Sequence, residues 1–354
     1  MLAGEKLDKC PRASKGILIA KSELTRSKSW ELRLMEKGQV RYNEYSSYLQ
    51  KKYGEKVYKL PVNLPGTCPN RDGTAGTGGC VFCDEEGAGF ECLPSTMGVT
   101  QQIKENKAFF VRRFKAKKFF AYFQAFTNTY GDFDSFRHNI TAAVEDKDII
   151  GVSVSTRPDC VHDSHLDFLE GLKREKGIDI NIELGLQTVN YHTLMRINRG
   201  HTLGEFIDTV LRIRERVLET TVHLILNLPG DDETDVIECA KVCSALRVDF
   251  VKLHSLYVVK GTALGDMYEK GELEIISLED YINRVVLFLE HLDPRIVVQR
   301  LVGKGPQGNL HFCNWGTSWW KIKRRIEEVL VERDSGQGKR FNYTNGAAVR
   351  RFME

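Results

Sequence analysis

No stretch of this 354-residue chain approaches the roughly 20 consecutive apolar residues that span a bilayer, and its first residues lack the long apolar core of a secretory signal. A membrane-spanning or exported protein does not fit, and the chain is expected to stay in the cytosol with no membrane partner. Charge of one sign is also scarce. Against 48 acidic residues the 51 Lys and Arg leave a net charge of +3, too little to require a polyanionic partner, so only local clustering is informative. Nine cysteines are an odd number in a chain of this size and do not suit a disulfide framework, which points to metal or thiol chemistry. Low-complexity linkers and short repeats are absent. With 42% hydrophobic and 28% charged content, the chain can bury a sizeable core as one folded domain with terminal additions.

Residues 1–40 are rich in Lys, Arg and Ser without sustained periodicity and read as a loose extension. Tyr42, Tyr45, Tyr48 and Leu49 then recur at helical spacing and would lay one face on the body. Six strand-like runs follow, near Lys56 to Val62, Lys118 to Ala125, Asp148 to Ser155, Ile178 to Leu186, Thr220 to Leu228 and Asp249 to Tyr257, each separated by a stretch long enough for a helix. Such alternation predicts an α/β fold with a parallel sheet, and apolar runs such as Ile149 to Val154 predict strands buried on both faces. A barrel and an open doubly wound sheet both fit. Residues 41–300 form this core; residues 301–354 form a cap with an amphipathic helix from Thr317 to Glu332. A strand near Arg295 to Leu301 would help close or cover the barrel.

The strongest chemical signal lies just after the first strand, where Cys68, Cys80 and Cys83 are spaced C-x11-C-x2-C in a loop with glycines at 73, 76, 78 and 79. Glycine permits the backbone angles and close N–H approach that wrapping around an anionic cluster requires. Three thiolates are one short of a full set for a cubane and leave one iron open to an exogenous ligand. A CxxC pair also suits structural zinc, with Cys92 as a possible fourth ligand. Placement after strand one, on the loop face where barrel enzymes build sites, favours the cluster. Cys239 and Cys243 lie on one helical stripe with Val236, Ala240 and Leu246 and read as core.

The cysteine loop, together with Tyr122 to Tyr130, Ser155 to Asp159, Glu183 to Gln187, Asn198 to His201, Leu226 to Gly230 and Lys252 to His254, resembles radical S-adenosylmethionine (SAM) proteins of the YhcC/YtqA type, MnmL-like and related to the radical SAM domain of the Elongator catalytic subunit. The resemblance implies a partial (β/α)6 barrel. It implies a [4Fe–4S] cluster on Cys68, Cys80 and Cys83, and SAM cleaved by one electron from a low-potential donor such as flavodoxin or ferredoxin. Phe82 then resembles the aromatic near the adenine, Glu183, Gln187 and Arg199 the ribose and carboxylate contacts, and Asn227 would pass beside the adenine. Gln124 to Thr127 stands where relatives carry a Gly-Gly-Glu type motif for the SAM amino group. No carboxylate is present there, so backbone carbonyls or Gln124 would accept that hydrogen bond.

Arg157, His201 and His254 fall near strand ends and are the candidates for catalytic handling of substrate, although Arg157 and Asp159 could simply pair across the Pro158 turn. From Lys104 to Lys118 seven basic residues and a single acid interleave with Phe109, Phe110 and Phe114, and Lys321, Lys323, Arg324, Arg325, Arg350 and Arg351 add charge later. This suits a phosphate backbone or a solvated helix face. The Elongator relationship turns the reading towards tRNA and the 5-substituent of its wobble uridine. A small-molecule or porphyrin-like substrate, and a zinc-stabilised nucleic-acid-binding module, are the alternatives.

Overall fold

The computed structural model describes residues 40–84, 87, 92–305 and 308–352. The loose extension expected over residues 1–40 lies outside this set, Val40 apart. Helix α1 (Tyr45–Tyr53) comes first and ends at Gly54, whose φ of 76° is the left-handed cap that glycine adopts without strain. Then come β1 (Val57–Val62), α2 (Val99–Phe114), β2 (Lys118–Phe123), α3 (Phe133–Ala143), β3 (Ile149–Thr156) and α4 (Asp163–Lys176). The chain continues through β4 (Asp179–Gln187), α5 (Tyr191–Arg196), α6 (Leu203–Glu215), β5 (Glu219–Ile225), α7 (Glu233–Leu246) and β6 (Phe250–His254). Last are β7 (Val258–Val259), α8 (Ala263–Glu269), α9 (Leu278–His291), β8 (Val297–Arg300), β9 (Leu310–Phe312) and α10 (Trp319–Glu332).

Seven strands pair in the order β1-β2-β3-β4-β5-β6-β8, all parallel. β1 and β8 do not pair, so the sheet stays open, but it curls into a half-barrel that brings Lys59 Nζ of β1 to 3.2 Å from Gln299 Oε1 of β8. The strand expected near Arg295 to Leu301 is present as β8 and extends the sheet, giving seven strands where six β/α repeats were expected. Its outer edge is met by the segment before α1, where the Val298 N–H donates to the Asn43 carbonyl at 2.8 Å.

Alternation with period two decides what each face of the sheet carries. In β4, Ile180, Ile182, Leu184 and Leu186 join the core beneath the helices, while Glu183, Gly185 and Gln187 line the hollow. In β6, Val251 and Leu253 face the core and Lys252 and His254 the hollow. The strands are buried on both faces as expected, but the inner face is polar. The outer face supplies the stability: on α6, Phe206, Val210 and Ile213 recur at helical spacing and are fully buried. Each contributes about 2 kcal/mol relative to exposure. Thr202 and Glu205 form a capping box at the start of that helix.

Helix α1 plugs the N-terminal end of the strands. Tyr45 and Tyr48 pack edge-on against Phe250, with ring centres 5.5 and 5.4 Å apart. Lys52 pairs with Asp179 and Glu219, the first residues of β4 and β5, at 2.9 Å each. Access is thus left at the C-terminal ends. Helix α10 buries Ile322, Ile326, Val329 and Leu330 and packs on α9.

Candidate active site

The loop after β1 brings Cys68, Cys80 and Cys83 to the wall of one cavity of about 560 Å³ at the open end of the half-barrel. Its path is set by backbone anchors. The Val81 N–H donates to the Ile197 carbonyl at 3.1 Å, and Asn198 Nδ2 donates to the carbonyls of Thr77 and Gly79 at 3.0 and 2.8 Å. Gly200, with φ +77°, packs so closely that a Cβ there would lie 2.6 Å from Asn70 Oδ1. Hydrogen-bond donors surround the sulfur atoms: Arg199 Nη1 is 3.3 Å from Cys80 Sγ, Arg157 Nη1 3.9 Å from Cys68 Sγ, and Asn70 Nδ2 3.8 Å from Cys80 Sγ. Burial and the neighbouring Cys80 push the Cys83 thiol up to about 11, so it binds metal only with loss of its proton to the metal's charge.

Three thiols ringed by two guanidinium groups and an amide suit an anionic iron–sulfur group. Among the described residues, no three His, Cys, Asp or Glu side chains converge on a single point as a mononuclear zinc site requires. Cys92 is not on the cavity wall. A cubane, whose thiolates are spread over separate irons, makes no such demand.

Deeper in the hollow, Glu183 is the counter-ion of a buried cationic cluster. Its Oε1 meets Lys59 Nζ, and its Oε2 meets Lys252 Nζ at 2.9 Å and His223 Nε2 at 2.8 Å. Lys252 also donates to the Tyr122 hydroxyl at 2.8 Å, and Ser155 Oγ lies 3.1 Å from that hydroxyl. Burial alone would raise the Glu183 carboxyl, but Lys252, Lys59 and His223 overcome it and hold the group well below the carboxylate range. Burial drives Lys252 down to about 7, only partly resisted by Glu183. Burial, reinforced by Lys252, lowers His223 to about 4.

The residues singled out from the sequence divide. Phe82, Gln124, Thr127, Gln187, Arg199, Arg157, Glu183 and His254 all line the cavity with the three cysteines. Several differ from expectation in what they touch. Both Glu183 oxygens already accept from side chains of the fold, Oε1 from Lys59 and Oε2 from Lys252 and His223. Arg199 is held by the Gly185 carbonyl at 2.7 Å and faces Cys80, so it offers charge to the cysteine loop more than to a carboxylate. Arg157 forms the bidentate pair with Asp159, at 2.9 and 2.7 Å, and reaches Cys68 besides. His254 is fixed between Arg300 and His223, and burial with the Arg300 charge holds its imidazole well below the usual range.

Two candidates are off the cavity wall. His201 is buried with Nε2 3.0 Å from the Gly185 carbonyl and Nδ1 3.2 Å from that of Thr202. It braces the end of β4. Asn227 accepts from the Leu256 N–H at 2.7 Å and ties the chain after β5 to the chain after β6. Lys59, His223 and Arg300 were not singled out, although each is a charged or polar residue within an apolar strand run, the signal that could have marked them. The two Cys239 and Cys243 thiols are buried in the core as read from their helical stripe.

The two basic stretches also divide. Lys104, Arg112, Arg113, Lys115 and Lys117 are exposed and make no ion pair with a described residue, whereas Lys107 pairs with Asp146 and Asp148 at 2.7 Å. On α10, Lys323 pairs with Glu44 at 2.9 Å, Arg324 with Glu328 at 2.7 Å and Arg325 with Glu332 at 2.7 Å. The later group is thus largely neutralised within the fold; the side chains of Arg350 and Arg351 lie outside the described residues.

A half-barrel of parallel strands with three loop cysteines at its open end is the architecture of a radical SAM enzyme, and comparison bears this out. Residues 67–243 match the Radical SAM superfamily and residues 248–332 the radical SAM C-terminal domain. The chain belongs to that superfamily, whose members use a [4Fe–4S] cluster and SAM, and within it to the YhcC/YtqA type. It is 35% identical over 301 residues to YtqA of Bacillus subtilis strain 168, covering 85% of this chain and 93% of YtqA. A protein of Methanocaldococcus jannaschii named tRNA uridine(34) acetyltransferase is 25% identical over 151 residues, 42% of this chain and 27% of its own. The structure of an N-terminally truncated Elp3 from Methanocaldococcus infernus shares the fold, with TM-score 0.61 and 14% identity over 79% of this chain and 64% of that one. Among the described residues, no helix is long and apolar enough to cross a membrane.

Proposed function

We propose that this enzyme acts on tRNA, abstracting hydrogen from the 5-substituent of a wobble uridine. The observation that carries the reading is continuity between the cavity and an exposed basic helix. Asn106, Phe109 and Phe110 of α2 line the cavity that holds the three cysteines, and the same helix and the turn after it present Arg112, Arg113, Lys115 and Lys117 to solvent. A phosphate backbone could follow those charges while one nucleoside enters the cavity past these aromatics. The partial similarity to a protein named for tRNA uridine(34) supports the same substrate class.

Cys68, Cys80 and Cys83 would hold the cluster, which with bound SAM supplies a 5′-deoxyadenosyl radical after one-electron reduction by a low-potential flavodoxin or ferredoxin type of donor. The chain's own residues do the rest. Arg199, Arg157 and Asn70 balance thiolate charge. Gln124 and Thr127 after β2, Gln187 at the end of β4 and Phe82, all on the cavity wall, would orient SAM. Enclosure by the walls of the half-barrel would keep a reactive species from other targets. The test is a comparison of nucleosides in tRNA from cells with and without the gene. An accumulated precursor of a 5-substituted wobble uridine is expected. Identical nucleoside profiles would remove tRNA as the substrate and favour a small molecule.

A further inference from the structure

We infer that the floor of the cavity is a receptor for an anionic group on the substrate, with Arg300 as its principal ligand and Lys252 beside it. The inference rests on the reading of this cavity as the substrate chamber. At the deep end of the cavity, Lys59, Lys252 and Arg300 stand around Glu183, and Glu183 is already engaged by Lys59, Lys252 and His223. Arg300 has no described carboxylate within 4.0 Å. Its guanidinium is nevertheless held in place: Nε donates to the Leu253 carbonyl at 3.3 Å and Nη2 to His254 Nδ1 at 2.6 Å. Nη1 has no described partner. Glycine at 303 makes room, since a Cβ there would lie 3.1 Å from Nη2.

The histidines do not neutralise this charge, and hydrogen-bond direction shows why. Glu183 can only accept, so His223 donates from Nε2 and is left with an acceptor at Nδ1, which lies 3.2 Å from His254 Nε2; Arg300 Nη2 lies 2.6 Å from His254 Nδ1 and 3.1 Å from its Nε2, so the guanidinium donates to a neutral ring. The chain orients Arg300 and leaves its half-buried guanidinium on the cavity wall without a described carboxylate partner, where an anion can meet it. A planar guanidinium with a free edge fits a carboxylate or a phosphate.

The test uses anaerobically reconstituted full-length protein, wild type and Arg300→Gln, with fluorescence anisotropy on anticodon stem-loops. The wobble uridine carries a 5-carboxymethyl group, its neutral 5-carbamoylmethyl counterpart, or the latter with an adjacent methylphosphonate linkage. Wild type should prefer one charged member over its neutral partner by about tenfold or more, and Arg300→Gln should erase that preference. Discrimination at the substituent identifies a carboxylate; discrimination at the linkage identifies a backbone phosphate. Arg300→Lys, which keeps the charge, should retain part of the preference. Equal weakening of all three RNAs by Arg300→Gln, no effect on any, or a loss of SAM affinity alone would overturn the inference. If wild type binds none of the RNAs, the tRNA reading fails, and equilibrium dialysis with radiolabelled acetate and inorganic phosphate decides the receptor. Retention that depends on Arg300 sustains it; absence of retention ends it.

Discussion

Replacing Arg112, Arg113, Lys115 and Lys117 together with Gln isolates the electrostatic contribution of the α2 edge to RNA binding. All four side chains are exposed and make no ion pair with a described residue, so each substitution should change stability by no more than about 0.5 kcal/mol. The helix itself is held from its other side, where Phe114 stacks on Tyr58 and Phe110 packs against it at a tilt, both with ring centres 5.2 Å away. If each charge contacts one phosphate, counterion release gives a slope of about 0.7 to 0.9 per contact in log affinity against log salt, or about 3 for the four. Between 50 and 200 mM salt, wild type should then lose about 60-fold more affinity than the quadruple variant. The control is Arg324→Gln with Arg325→Gln, because these residues pair with Glu328 and Glu332 and should leave the slope unchanged. Filter binding or anisotropy across a salt series reads both. An unchanged slope in the quadruple variant, or an equal change in the control, would refute the assignment of this helix edge to phosphate contact.

Cys68→Ala, Cys80→Ala and Cys83→Ala should each abolish a cluster of about four irons, read by iron assay and visible absorption, while Cys239→Ala and Cys243→Ala should retain it. Stoichiometric zinc in the anaerobically purified wild type would contradict the iron–sulfur assignment. Gly200→Ala forces a Cβ towards Asn70 at a left-handed backbone position and should cost about 1–3 kcal/mol with weakened iron retention; wild-type stability and iron content would show that the loop tolerates it. Lys252 supplies a pH test: its ammonium is driven down to about 7 in the fold but stays near the ordinary lysine value when unfolded. Between those values the unfolded chain binds more protons, so wild-type stability should rise with pH relative to Lys252→Met from pH 7 to pH 9. A parallel pH dependence of the two proteins in denaturant unfolding would mean that Lys252 stays charged.

The succession of strand and helix was legible along the chain because burial of one sheet face imposes period two and burial of one helix face imposes period 3.6. The three cysteines were legible for a different reason: they lie within 16 residues of one another in a loop whose glycines have no other evident purpose. What no local pattern carried was the interior of the half-barrel. Lys59, Tyr122, Glu183, His223, Lys252 and Arg300 come from six strands spread over 242 positions; motifs marked Tyr122, Glu183 and Lys252, whereas Lys59, His223 and Arg300 each read as an oddity in an apolar run. Alternation determines that Glu183 and Gln187 share a face, but the curl of the sheet determines that this face meets Lys59 from β1 and Lys252 from β6. The same tertiary geometry directed His201 into a brace behind β4 and Asn227 into a bridge between chain segments, although both stand in motifs close to strand ends. Motif position along the chain establishes nearness to the open end of the sheet. Whether a side chain enters the hollow depends on the path of the backbone after the strand, and that path is set by contacts with residues remote in sequence.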